Sequence, residues 1–182
     1  MKRTTIGLAV IAVVLLAAGA AMAAATPAAM EDVKVHPSCP ICGMDRQVYS
    51  HSRGLVEYED GKAVGTCSIH CIVLDVSQNP GRKVKATRVA DYDTRELLDP
   101  EAATWVVGGK KPGVMTPKGK WAFATRQAAD AFLAANGGEI ATYEAVLAAT
   151  KAEQEARKKG SKKSKKAPAK KSAPSCCDNT KK

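Results

Sequence analysis

The feature that most restricts what this chain can fold into is a pattern that occurs twice. Gly61-Lys62 and Gly119-Lys120 each open a strand that leads into a helix, a Gly-containing turn and a further strand. In the first copy, residues 55–58 and 63–66 flank Asp60-Gly61, a hairpin signal. A short apolar helix over 68–76 stops at Asn79-Pro80-Gly81, and a strand covers 84–90. In the second copy, strands cover 104–107 and 119–124. Thr125 then caps a helix carrying Ala129, Phe132 and Leu133, which ends before Gly137-Gly138. Residues 140–143 form a last strand, and a terminal helix runs from 144 to about 157. Short strands with interposed helices predict an α+β fold of two small related strand-helix-strand units in tandem, about 33–90 and 91–150. Trp105, Trp121 and Phe132 read as core.

The flanks differ in kind from this 26–150 domain. Lys2 and Arg3 precede an apolar run from Ile6 to Ala18, and Ala21-Met22-Ala23 offers an A-x-A site, so residues 1–25 read as a cleaved signal peptide. The competing reading is an uncleaved N-terminal anchor, with the apolar stretch running on to about Ala25. No cysteine precedes Cys39, so there is no lipobox, and the expectation is an exported, periplasmic protein. The net charge of +10 is concentrated at the other end: 12 of the 28 Lys and Arg but 3 of the 18 Asp and Glu lie in 151–182. That Lys-rich tail, with Cys176-Cys177 near its end, has the composition of a disordered segment. In an exported protein it argues for weak contact with an anionic membrane surface or acidic partner, and against nucleic acid. Nothing in the pattern sets a homo-oligomeric state.

The chemistry-bearing residues are Cys39-Pro40-Ile41-Cys42-Gly43-Met44, followed by Cys67 and Cys71. Four readings compete: a closed structural Zn²⁺ site, one or two disulfides, a redox C-P-x-C using Cys39 and Cys42, and a Cu(I) site of thiolates and thioether. Spacing alone ranks zinc and disulfide above copper. The thioredoxin-like reading is weaker, because that motif follows a buried strand and this one lies near the mature N-terminus. Haem attachment is excluded, since no histidine follows Cys42 or Cys71. In the repeat, Cys67 falls where Thr125 falls, at the first turn of a helix whose dipole favours a thiolate, and Cys71 shares its face. His70 approaches that face only from its edge, His36 reads as a surface residue, and His51 in Ser50-His51-Ser52 as a solvated one. No paired carboxylates or Ser/His pair stand at telling spacings, so no enzyme activity is expected.

In these residues the chain resembles the NosL copper chaperones of nitrous oxide reductase maturation. The resemblance runs in order through Cys39-Pro40-Ile41-Cys42-Gly43-Met44, Tyr58-Glu59-Asp60-Gly61-Lys62, Val89-Ala90-Asp91-Tyr92-Asp93-Thr94 and Ala103-Thr104-Trp105-Val106-Val107-Gly108-Gly109. It continues through Val114-Met115, Trp121-Ala122-Phe123, Ala128-Ala129-Asp130-Ala131-Phe132 and Asn136-Gly137-Gly138-Glu139-Ile140. It implies two related small α/β units, distantly similar in fold to organomercurial lyase but without its chemistry. It also implies a periplasmic Cu(I)-binding protein whose partners are copper-enzyme maturation proteins and the apo enzyme. By position, Cys42 and Met44 match the family's C-G-M motif and Cys39 a cysteine of many members. Met115 matches a methionine normally set in a P-M-G turn; here its neighbours are Val114 and Thr116. Cys67 and Cys71 stand where typical members carry an apolar or aromatic helix start. These extra thiols would tighten the site, turn it toward Zn²⁺, or serve a copper client other than nitrous oxide reductase. The candidate metal ligands are therefore Cys39, Cys42, Met44, Cys67, Cys71 and Met115.

Overall fold

A computed structural model describes residues 30–165. Residues 1–29, on which the expected signal peptide falls, and residues 166–182, with the Cys176-Cys177 pair, lie outside the described residues. The chain runs α1 (Glu31–Val35), β1 (Gly54–Tyr58), β2 (Ala63–Thr66), α2 (Ile69–Gln78), β3 (Val84–Ala90), β4 (Leu97–Leu98) and β5 (Thr104–Pro112). It continues through β6 (Lys118–Phe123), α3 (Arg126–Asn136), β7 (Glu139–Ala141) and α4 (Tyr143–Lys165).

The two copies have the same topology. One sheet has the order β2-β1-β3-β4 and the other β6-β5-β7, all neighbours antiparallel. In each, the first strand is central, its hairpin partner lies on one side, and the strand after the helix lies on the other. The β1–β2 hairpin closes where Lys62 N–H donates to the Asp60 carboxylate, the local bond that makes Asp-Gly a turn signal. The 91 boundary between the halves needs correction, because β4 pairs with β3 and completes the first sheet. Two further boundaries move. Tyr143 opens α4 rather than ending a strand, and α4 continues to Lys165, past the expected start of the tail at 151. The reason is tertiary: Val146, Thr150 and Gln154, spaced four apart, are all buried, and α4 packs on α2. Gln154 donates to the carbonyl of His70, tying the two helices together.

Where Trp105–Val107 of β5 pairs with Lys120–Ala122 of β6 the second sheet is buried on both faces, which explains the short unbroken apolar runs Trp105-Val106-Val107 and Trp121-Ala122-Phe123. Alternate residues go opposite ways. Trp105, Val107 and Ala122 join Val56, Ile69, Ile72 and Val146 in one cluster. Val106, Trp121 and Phe123 join Ala129 and Phe132 of α3 in another, and Cys39, Cys67 and Cys71 belong to that second cluster. The cysteines of the first half are thus packed on the sheet of the second.

The segment leading to the cysteines is held by a buried ionic hub. Arg46 and Arg53, both 0 % exposed, converge on Asp32 of α1. Arg46 also donates to the carbonyls of Thr66, His36 and Gly54, and Arg53 to those of Ser50 and Arg95. Burial pushes the Asp32 carboxyl up, but the hydrogen bonds and charges of Arg53 and Arg46 outweigh it and hold the group below its ordinary range. Gly65 makes room for this hub: a Cβ there would sit 2.5 Å from the Arg46 guanidinium.

Candidate metal centre

Cys39 and Cys42 sit on one tight turn. Gly43 N–H donates to the Cys39 carbonyl (2.8 Å), Cys39 N–H donates to the Met44 carbonyl (2.9 Å), and Ser38 pairs with Asp45 across the base. Gly43 takes a φ of 78°, which a residue with a Cβ adopts only at a cost, so the Gly of Cys-Gly-Met closes the turn. The other pair comes from the β2–α2 junction. Cys67 follows the last residue of β2, and Cys71 lies on the first turn of α2. The N-cap of α2 is Ser68, so Cys67 stands one residue before the cap rather than at the position of Thr125. The partner of Thr125 in the repeat is Ser68, and that of Cys67 is Ala124.

The two pairs meet. All four Sγ atoms lie within 4.8 Å of one another. Cys42 to Cys67 is 3.4 Å, Cys67 to Cys71 is 3.7 Å, and Cys71 to Cys42 is 3.7 Å. These separations are close to the edge of about 3.8 Å for a tetrahedron of sulfurs around an ion bonded at about 2.3 Å. All four are free thiols, so the disulfide expectation does not hold. Cys39, Cys67 and Cys71 are at most 1 % exposed, and Cys42 is half-buried, the one member of the set that reaches the surface.

The electrostatics favour a cation. Hydrogen bonds from Cys67 and Cys71 pull the Cys39 thiol well below its ordinary range. The bonds to Cys39, joined by burial, push Cys67 up to about 12 and raise Cys71 further. One thiolate is easily formed in this pocket, and further negative charge is resisted until a cation replaces the remaining protons.

Met44 and Met115 do not come from the same place but line one cleft of about 410 Å³ beside the cluster. Both are partly buried against the core that contains the cysteines. Met115 sits at φ 63° in the loop between β5 and β6, a conformation that costs a residue with a Cβ about 1–3 kcal/mol. Arg157 of α4 donates to its carbonyl at 2.9 Å and steadies it there.

Among the histidines, His51 departs from expectation. It is half-buried, a wall of the Met44/Met115 cleft, with its ring 5.6 Å from both Tyr92 and Trp121. Burial, then the charges of Arg95 and Lys111, hold it below its ordinary range, so it is neutral near pH 7. Its neighbours in sequence are serines, and the signal that could have found it is the aromatic content of Tyr49 and Tyr92. His70 is 4 % exposed with Nδ1 unpartnered, and it is not among the residues that converge on the metal centre. His36 is half-buried, its carbonyl held by Arg46.

A family model described as NosL matches residues 30–150. The chain belongs to the NosL family. A crystal structure of the copper chaperone NosL from Shewanella denitrificans is similar, at 21 % identity and a TM-score of 0.47, covering 59 % of this chain and 87 % of that one. No significant match is found among curated proteins. The matched span takes in every cysteine of the cluster as well as both methionines of the cleft. The NosL domain therefore holds both groups of sulfur donors.

Proposed function

We propose that this chain is an exported Cu(I)-binding metallochaperone that delivers copper for assembly of a copper enzyme, with nitrous oxide reductase as client. One observation carries the reading: four free thiols from two separate chain segments converge within 4.8 Å in a NosL domain. Soft thiolates retain Cu(I) in preference to hard cations, and the half-exposed Cys42 is the point at which an incoming ligand can begin exchange. Binding and release need no oxidation, nucleophile or proton relay, so the role is carriage rather than turnover. The partners are maturation proteins and the apo enzyme, reached in the periplasm. The Lys-rich tail supplies weak attraction to a membrane surface. Thiol–disulfide exchange fits less well, because Cys39, the leading thiol of C-P-x-C, is 1 % exposed and closed to a substrate disulfide.

Anaerobic titration of the reduced protein with Cu(I) against a competing chelator tests the proposal. Tight binding that is lost on Cys42→Ser supports it; affinity no better than that of a free thiol, together with reductase activity on a model disulfide, overturns it. A zinc-stabilised interaction module is the second reading, favoured by the near-tetrahedral sulfur separations and by the burial of three of the four thiols. Zn²⁺ that co-purifies stoichiometrically and is not displaced by Cu(I) would establish that module instead.

A further inference from the structure

We propose that Cys42 is a modification site: when the cluster is empty it exchanges with an incoming disulfide, and Cys67 resolves the mixed disulfide into an internal Cys42–Cys67 bond. The proposal rests on the reading of the cluster as a metal site and adds to it a reaction that the empty site undergoes.

Exposure selects the first thiol. Disulfide exchange requires the attacking sulfur to reach the target sulfur directly. Cys39, Cys67 and Cys71 are at most 1 % exposed, and only Cys42 of the four reaches the surface. The chain beside it leaves room for a reagent, since a Cβ built on Gly43 would meet nothing within 4 Å. The export expected from the N-terminal sequence would also bring the chain into a compartment where disulfides persist.

Distance selects the second thiol. The Cys42 sulfur lies 3.4 Å from that of Cys67 and 3.7 Å from that of Cys71. A disulfide needs about 2.05 Å, so the Cys67 pair has the shorter movement to make. Cys71 is also built into the first turn of α2, its N–H bonded to the Ser68 carbonyl, whereas Cys67 precedes the N-cap and lies outside the helix.

The chemistry closes in two displacements. The Cys42 thiolate attacks one sulfur of R–S–S–R, that S–S bond breaks, a Cys42–S–S–R bond forms and one RS⁻ leaves. The Cys67 thiolate then attacks the Cys42 sulfur, forming Cys42–S–S–Cys67 and expelling the second RS⁻. The two protons given up by the cysteine thiols end on two RSH, and the two electrons given up by the cysteines reduce the external disulfide. The new bond removes two of the four sulfur donors and leaves only Cys39 and Cys71, both sealed. A bound cation in turn ties up the thiolates that the exchange needs. Loading and oxidation therefore exclude each other, and the oxidised chain takes up no ion until a dithiol reduces it.

The test uses the mature full-length chain carrying Cys176→Ser and Cys177→Ser, so that the terminal thiols contribute nothing. The reduced, metal-free protein is treated with oxidised glutathione, quenched, alkylated and read by intact mass and peptide mapping. One internal bond, Cys42–Cys67, should form with no glutathione retained. Cys67→Ala should instead hold glutathione on Cys42, and Cys42→Ser should stay reduced over the time in which the parent is fully oxidised. Prior loading with Cu(I) should protect the parent, and the oxidised parent should regain Cu(I) uptake only after dithiothreitol. Another pairing, glutathione retained on the parent, or oxidation of Cys42→Ser at the parent's rate overturns the proposal. Where Cys67→Ala loses the near-ultraviolet circular dichroism of the parent, the map of the parent decides. A parent that binds Cu(I) but forms another bond, or none, sinks this proposal and leaves the chaperone intact. One that forms the Cys42–Cys67 bond without ever binding Cu(I) keeps the modification site and loses the copper reading.

Discussion

The two halves of the molecule share a strand order and differ at one junction. In the second half, the β6–α3 junction is Ala124-Thr125, exposed, and the Thr125 hydroxyl accepts from Ala128 N–H in an ordinary helix cap. In the first half, the β2–α2 junction is Cys67-Ser68, buried, and Ser68 makes no side-chain cap. Its backbone carbonyl accepts from Cys71 and Ile72, as that of Thr125 accepts from Ala129, so the two corners differ in their side chains. The helices differ in the same sense. Only Ala129 and Phe132 of α3 are buried, whereas five consecutive residues, Ile69 to Val73, are buried in α2 because α4 covers its outer side. A duplicated scaffold thus specialises by what sits at one strand–helix corner and by what covers it.

The comparison breaks most severely at the hub that only the first half has. Asp32→Ala leaves Arg46 and Arg53 buried without their carboxylate and should cost about 3–5 kcal/mol, read by urea denaturation. Because the folded carboxyl lies below its ordinary value, the hub's contribution is complete above about pH 4 and is lost as pH falls through the lowered folded value. Wild type should therefore lose stability below pH 4 more steeply than Asp32→Asn, and parallel curves would remove the hub from the account.

Next in size is the junction itself. Replacing a ligand exceeds the roughly 10–100-fold that loss of an outer partner costs, so Cys67→Ser or Cys71→Ser should weaken metal binding by about 100-fold or more in competition titration. An affinity within a few-fold of wild type would place these two thiols outside the ligand set. Thr125→Ala should cost about 1 kcal/mol in thermal unfolding, and Ser68→Ala, which loses no side-chain cap bond, less than about half of that. Equal costs would deny the difference between the two corners. The smallest effect should come from the reverse graft. Ala124→Cys with Ala128→Cys reproduces the Cys67/Cys71 spacing on the second half, but no Cys-x-x-Cys turn faces it. It should leave stability within about 0.5 kcal/mol and create no metal site. Tight binding at the graft would mean that the turn is dispensable.

Legibility in the sequence followed the range of the forces involved. Asp60-Gly61, Asn79-Pro80-Gly81 and Thr125 act within a few residues, so β1, β2, β3 and the start of α3 could be read from them. Five-residue α1 has no side-chain N-cap and only Glu31, Asp32 and Lys34 as local signals, and β4 is two residues held by β3, so neither was read from the sequence. The length of α4 depends on Gln154 meeting α2, a contact some 80 residues apart in sequence that no local propensity encodes. Composition alone made that stretch look like tail.

The site divides along the same line. By itself the sequence determined the soft donors, the turn that Gly43 permits, and the repeat that puts Cys67 and Cys71 at a strand–helix corner. Only the tertiary structure decided that the two cysteine pairs meet, that three of those thiols are sealed, and that His51 faces Met44 and Met115 across a cleft. The physical reason is that hydrogen-bonded turns and caps are settled by neighbours in the chain. The convergence of Cys39 and Cys42 on Cys67 and Cys71 depends instead on Arg46 and Arg53 anchoring their segment to Asp32 and β1, and on the packing of one half's corner against the other half's sheet.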